Sequence, residues 1–399
     1  MRAAATTAIL ATLLFASTSE AGRNFTLRDD ISGNGFFDAF TWWDSADPTH
    51  GFVDYVSKSD AQKAQLSYVD STTGRFVMRA DDSTVLSAGS STGRKSVRIH
   101  SKKLMGDGVL IAKVSRMPVG CATWPALWTS TRGTWPTGGE IDIVEGANDQ
   151  GPTNLASLHT SNGCSIAGGS GYGNLTTVDA ATRNTTSLTT ATLRLDSGTT
   201  ESTYCGYQPG CSVRFSGQKS FGSEFNDNNG GFFVMTRDTI AGGSGISVYF
   251  WPSTTAPPSL LTSSPAAPYL LLPDLNTSSS ALTTSSEGQD WGVPAAHFPN
   301  NATTCEMDKL YGQHEIIINL SLCGDWAGAT FDSVSACQLT GSSCEAYVAR
   351  NPSAFTNARW EIDYLHVYTD SALRSALRSH QGTLVTALVV CVSALLVFF

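Results

Sequence analysis

The chain has 399 residues, 41% of them hydrophobic and 15% charged, with a formal net charge of −9. It is long and apolar enough for a large core, which excludes a disordered or coiled protein. The basic residues form no long run, which argues against a nucleic-acid partner held by phosphate neutralisation, and a neutral substrate fits better.

Met1-Arg2 precedes an apolar stretch through Phe15, and Ser19-Glu20-Ala21 then places small residues at the two positions that signal peptidase reads. Residues 1–21 therefore read as a secretory signal cleaved near Ala21, the run being short of the roughly 20 apolar residues of a membrane anchor. From residue 24 to residue 368 the text consists of short β-rich runs, such as 75–80, 97–100 and 109–114, broken by Gly, Asn, Asp and Ser. Many short strands with this punctuation, without a long 3.6-residue periodicity or a fixed repeat, predict an all-β sandwich in one domain over residues 22–370.

Residues 140–145 read Glu-Ile-Asp-Ile-Val-Glu, the densest acid in so apolar a setting. Ile141, Ile143 and Val144 favour a strand, because branched Cβ atoms suit a pleated surface. Glu140 and Asp142 are two apart and share a face. Glu145 would turn away under strict alternation, unless a β-bulge around Ile143-Val144 restores it to the same side. Three adjacent carboxylates repel, which raises the pKa of at least one and holds it protonated near neutral pH. One acid plus one carboxylate is what sugar hydrolysis requires. Alone, the alternation also suits the wet face of an amphipathic strand. Gly138-Gly139 and Gly146, which permit close backbone approach, and the flat rings of Trp124 and Trp128 just upstream tip the reading toward catalysis.

Residues 253–289 are rich in Ser, Thr, Pro and Ala, with 270–272 as their only strong apolar patch. They read as a flexible surface insertion open to O-glycosylation, or else as a boundary between two domains. The insertion is preferred, because 316–318 and 360–368 look like strands completing the same sheets. The small triplet Asp370-Ser371-Ala372 leads into residues 371–399, where a polar spacer is followed by an uncharged apolar tail from Leu384 to Phe399, the order of a GPI-anchor signal. A retained short transmembrane tail, or one cleaved without lasting attachment, competes with that reading.

Eight of the nine cysteines lie in the body and one, Cys391, in the tail. Eight suit four disulfides in an oxidising compartment; the pairing is open, although Cys205 and Cys211 are close enough to close a small loop. There is no Cys-x-x-Cys and no His pair at ligand spacing, which argues against zinc. Sequons at Asn24, Asn174, Asn184, Asn276, Asn301 and Asn319 suit an exported, glycosylated surface.

With the hexad on a bulged strand, the chain resembles glycoside hydrolase family 16, and more narrowly the fungal laminarinase-like endo-β-1,3(4)-glucanases, from about residue 36 to 368. The pieces are Trp42-Trp-Asp44 with Pro48-Thr-His-Gly51, residues 93–99, Trp124-Pro-Ala-Leu-Trp128, Gly139-Glu-Ile-Asp-Ile-Val-Glu-Gly146, Leu158-His-Thr160, Phe250-Trp-Pro252 and Cys323-Gly-Asp-Trp-Ala-Gly328. The resemblance implies a β-jelly-roll sandwich of two curved antiparallel sheets with a cleft on the concave face, and hydrolysis with retention. It makes Glu140 the nucleophile, Asp142 the helper and Glu145 the acid/base, with Trp124, Trp128, His159, Trp251 and Arg98 contacting substrate. The expected partner is β-glucan, met by a monomer at the cell surface, with the membrane reached through the C-terminal lipid anchor or tail. No cofactor or catalytic metal is required; some members hold a structural Ca²⁺ away from the cleft, for which no ligands are assigned. A cell-wall transglycosylase and a non-catalytic glucan-binding jelly roll are the rival functions.

Overall fold

The computed structural model describes residues 23–87, 89–166, 199–215, 219–261, 269–272, 291 and 294–370. The expectations for residues 1–21 and 371–399, and for the sequons at Asn174, Asn184 and Asn276, lie outside them. Runs rich in Val, Ile, Phe, Tyr and Thr form the strands, as their fit to a pleated, half-buried surface requires. Eight strands make the sheet that carries the hexad, in the order Thr199–Ser202, Cys211–Arg214, Leu155–His159, Glu140–Glu145, Thr123–Thr131, His314–Leu322, Arg98–Ser101 and Phe40–Trp42. Nine make the back sheet. Its main order is Tyr269–Leu272, Arg23–Ser32, Arg359–Asp370, Gly108–Arg116, Gly231–Asp238, Gly245–Pro252 and Ala296–Pro299. Phe76–Arg79 pairs with Arg359–Asp370, and Ser67–Val69 pairs with Phe76–Arg79. Pairing within both sheets is antiparallel; the parallel pair is a separate two-stranded ribbon, Val53–Tyr55 with Arg94–Ser96.

The period of two assigns every face. Along Gly108–Arg116, Leu110, Ala112 and Val114 enter the main core, where they meet Leu127, Ile141, Leu158, Ile316 and Ile318 of the hexad sheet. Val109 and Ile111 point out of the back, into a second cluster with Phe232, Val234, Tyr249 and Trp251. A sheet apolar on both faces needs a cover, since each large side chain sealed from water contributes about 1.5–3 kcal/mol. Ala256, Leu260 and Trp291 supply it. The Ser/Thr/Pro-rich stretch thus begins as a lid on the back sheet, and its Tyr269–Leu272 strand adds an edge by pairing with Arg23–Ser32. Both features attach it to this sandwich.

Among the described residues the helices are short, the longest being Cys344–Arg350, capped by Ser343 Oγ accepting from the Ala346 amide at 3.3 Å. That helix packs with Leu320, Leu322, Phe331 and Phe355; the disulfide Cys323–Cys344 ties it down, and Cys121–Cys337 does the same for the short helix Ser335–Gln338 beside it. Cys164–Cys305 is the third bridge, and Cys205–Cys211 closes the small loop expected from its spacing.

Candidate active site

The Glu140–Glu145 strand is bulged where its sequence requires. Against Thr123–Thr131, Glu140 faces Ser130 and Asp142 faces Trp128, after which the register shifts so that Val144 faces Leu127 and Glu145 faces Ala126. Against Leu155–His159 the shift falls between Asp142 and Glu145. Ile141, Ile143 and Val144 all enter the core, so the extra residue returns Glu145 to the side of Glu140 and Asp142. The irregularity is held by Asn154, fully buried, whose Nδ2 donates to the Ile143 carbonyl at 2.8 Å and whose Oδ1 accepts from the Glu145 amide at 3.0 Å. One side-chain amide therefore satisfies the two backbone groups that the bulge turns away from its neighbours. Before the strand, Gly139 has φ +86°, and a Cβ there would fall 2.6 Å from the Tyr311 ring.

Asp142 is buried at 3% exposure, whereas Glu140 and Glu145 on either side keep partial access to solvent. The middle acid is therefore the most enclosed of the three. Glu140 Oε2 accepts from Trp135 Nε1 at 2.9 Å, and Glu145 Oε1 accepts from Trp124 Nε1 at 3.0 Å. His159, directly opposite Glu140 in the neighbouring strand, places Nε2 3.3 Å from Asp142 Oδ2 and 3.8 Å from Glu140 Oε1. Its Nδ1 donates to the Tyr207 carbonyl at 2.8 Å. Burial pushes all three carboxyls well above their usual range, and the charge of Asp142 adds to the push on Glu140 and Glu145. The His159 charge and the two indole N–H groups pull the outer pair back. Each acid feels its neighbours, so the protons belong to the cluster as a set.

Trp124, Trp128 and Arg98 share this face. The Arg98 guanidinium sits between the Trp43 and Trp128 rings, 5.1 Å from each centroid, while the Trp124 ring meets Trp326 edge-on at 5.8 Å. Fixed aromatic rings beside paired carboxyls suit the apolar faces of pyranose units. Trp251 does not belong here. It lies in Gly245–Pro252 of the back sheet, 6% exposed, stacked on Tyr249 and closed over by Trp291, because its position in the alternation puts Phe250 into the main core and the indole on the opposite outer face. Asn319 also departs from expectation as a glycan acceptor: it is buried, and its Oδ1 accepts from Trp128 Nε1 at 2.8 Å. Asn301, by contrast, is exposed.

Trp135, Asn154, Asn319 and Trp43 are the site residues that sequence reasoning missed. Trp135 carried a signal, five positions before Glu140 in a Gly-rich segment, and Trp43 lay within the Trp42-Trp-Asp44 piece without a role assigned to it; Asn154 and Asn319 became visible as site residues only through cross-strand neighbours. Among the described residues, Glu140, Asp142 and His159 are the group close enough to share a cation, their nearest atoms lying within 4.8 Å. They already face one another as acid and imidazole.

A family model described as an XgeA-like catalytic domain of glycoside hydrolase family 16 matches residues 40–368. A probable glycosidase of Schizosaccharomyces pombe is 32% identical over 87% of this chain and 70% of its own length. A probable endo-1,3(4)-β-glucanase of Aspergillus niger is 33% identical over 90% of this chain and 42% of its own, so the chain spans less than half of that relative. Among solved structures, Laminarinase 16A of Phanerochaete chrysosporium, with 6-O-glucosyl-laminaritriose in donor and acceptor sites, aligns at TM-score 0.69 and 34% identity over 87% of this chain and all of its own. An elongating family 16 β-1,3-glucosyltransferase aligns at 0.66 and 32% over 86% of this chain and all of its own. The bulged acidic strand, the two antiparallel sheets and these likenesses converge: the chain belongs to glycoside hydrolase family 16, within its XgeA-like catalytic group.

Proposed function

We propose that this chain hydrolyses internal β-1,3 bonds, and mixed β-1,3/1,4 bonds, of β-glucan by double displacement with retained configuration. The observation that carries the reading is the bulge that turns Glu145 onto the face of Glu140 and Asp142. Following the order of the family motif, Glu140 attacks the anomeric carbon while Glu145 gives its proton to the departing glycosidic oxygen. Glu145 then takes a proton from water, which attacks the glycosyl ester and frees Glu140. Asp142, buried beside them and facing His159, crowds the set so that a further negative charge is disfavoured and a proton is retained among the three. The carboxyls supply nucleophile and proton themselves, so no step asks for a metal. Trp124, Trp128 and Arg98 offer the sugar contacts. Relatives named as endo-1,3(4)-β-glucanases and the laminarinase likeness support this substrate class.

The test is release of reducing sugar from laminarin and lichenan, with the anomer of the first product followed by NMR. Glu140→Gln is expected to remove turnover and keep binding, and a variant as active as the parent would refute the assignment. The elongating glucosyltransferase likeness favours one second reading, transfer of the same glycosyl ester to a sugar hydroxyl. Labelled acceptor oligosaccharides separate the two by product length. A glucan-binding protein without catalysis is disfavoured by the three retained carboxyls. The reading includes secretion under the signal at residues 1–21, a GPI anchor from residues 371–399 and action as a monomer; four disulfides suit such an oxidising route.

A further inference from the structure

We propose that the loop closed by the Cys205–Cys211 disulfide is a positioning element of the reaction, holding the His159 ring so that Nε2 confronts the buried acid Asp142. The inference rests on the reading of Glu140, Asp142 and Glu145 as the catalytic trio. The Tyr207 carbonyl, inside this loop, lies 2.8 Å from His159 Nδ1. A carbonyl only accepts, so Nδ1 keeps its hydrogen and Nε2 is the atom left to exchange a proton. Nε2 stands 3.3 Å from Asp142 Oδ2, a buried oxygen that receives no hydrogen bond. A few tenths of an ångström or a small ring rotation therefore determines whether imidazole and acid share a proton.

The loop controls that rotation from two sides. At Gly210, φ +77°, an added Cβ would fall 2.5 Å from the Leu158 carbonyl oxygen and 2.7 Å from both Cε1 and Nδ1 of His159, so the bare backbone lies close against the ring and its strand. The loop is fastened to the His159 strand end by the Thr160 amide donating to the Cys205 carbonyl at 2.7 Å and the Tyr207 amide donating to the Thr160 carbonyl at 2.9 Å. The disulfide joins the first anchor, Cys205, to Cys211, the residue after Gly210. On the remaining side the Trp135 ring, bonded to Glu140, lies 5.9 Å from the His159 ring. Loop, imidazole, indole and acids thus form one packed unit.

The experiment uses the full chain with its other three disulfides intact. Cys205→Ser combined with Cys211→Ser is expected to lower kcat on laminarin roughly ten- to hundredfold, the range a misplaced group costs, with KM held within about twofold. His159→Ala should fall by a similar factor, and the triple variant should be no slower than His159→Ala alone, because coupled residues are not additive. Gly210→Ala keeps the disulfide but strains the backbone against the Leu158 carbonyl as well as the ring, and should reproduce the kcat loss; near-ultraviolet circular dichroism matching the parent's is required of both variants, and where it fails the comparison of His159→Ala with the parent in kcat and KM decides. Losses that multiply in the triple variant, or a rise in KM with kcat retained, would overturn the inference and make the loop a scaffold or a sugar contact. An active parent whose Glu140→Gln variant is equally active would sink the trio and this inference with it.

Discussion

Replacing Trp135 by Phe takes one hydrogen bond from the nucleophile while keeping an aromatic ring. Its Nε1 donates to Glu140 Oε2 at 2.9 Å. Such a bond to a charged group is worth about 1.5–3 kcal/mol, and because Trp135 is 40% exposed, water recovers part of it, leaving about 1 kcal/mol, or about 0.7 pH unit. Burial, followed by the charge of Asp142, pushes the Glu140 carboxyl up, and the Trp135 bond opposes them. Without it, Glu140 holds its proton to higher pH. The nucleophile must be bare to attack, so the acid limb of the kcat/KM profile is expected to move up by about 0.5–1 unit, with the plateau retained. Initial rates on laminarin across about pH 3.5–8 measure this. An unmoved or lowered acid limb, or a loss equal at every pH, would refute the reasoning.

Trp124→Phe removes the 3.0 Å bond to Glu145 Oε1 and should raise the alkaline limb instead, since Glu145 must carry a proton to assist departure; a shift of the acid limb would reverse the assigned roles. Asn154→Ala leaves the Ile143 carbonyl and the Glu145 amide unpaired in a buried place, at about 1–3 kcal/mol each. Urea unfolding should show a loss of about 2–6 kcal/mol, and an unchanged midpoint would show that the bulge holds itself. Asp142 is pushed up by burial, so the folded state prefers its protonated form: the stability it contributes is full below the unfolded value near 4 and is lost as pH climbs toward the raised folded value. Asp142→Asn escapes that loss. Its Tm should exceed the parent's at about pH 7.5 and converge with it near pH 4; a gap constant with pH would contradict the linkage.

Much of the fold was legible because it is local. Branched and aromatic residues alternating over short runs specify strands wherever they occur, and the hexad announced its own irregularity, since Glu145 could join Glu140 and Asp142 only through an extra residue. The Cys205–Cys211 loop was legible from spacing for the same reason. What alternation cannot supply is which of a strand's two faces looks into the cleft. Phe250 and Trp251 read alike in the chain, yet membership of the back sheet sends one into the core and the other under Trp291. Asn319 reads as a glycan acceptor until His314–Leu322 pairs with Thr123–Thr131 and presents it to Trp128. Asn154 has no motif at all; its role exists only because the strand after the hexad folds back and brings an amide to the bulge. Periodicity and propensity act over a few residues and are written in the chain, whereas the sheet a strand joins and the neighbour it meets depend on contacts between distant segments, and these place the cleft, the clamp on the bulge and the partners of each acid.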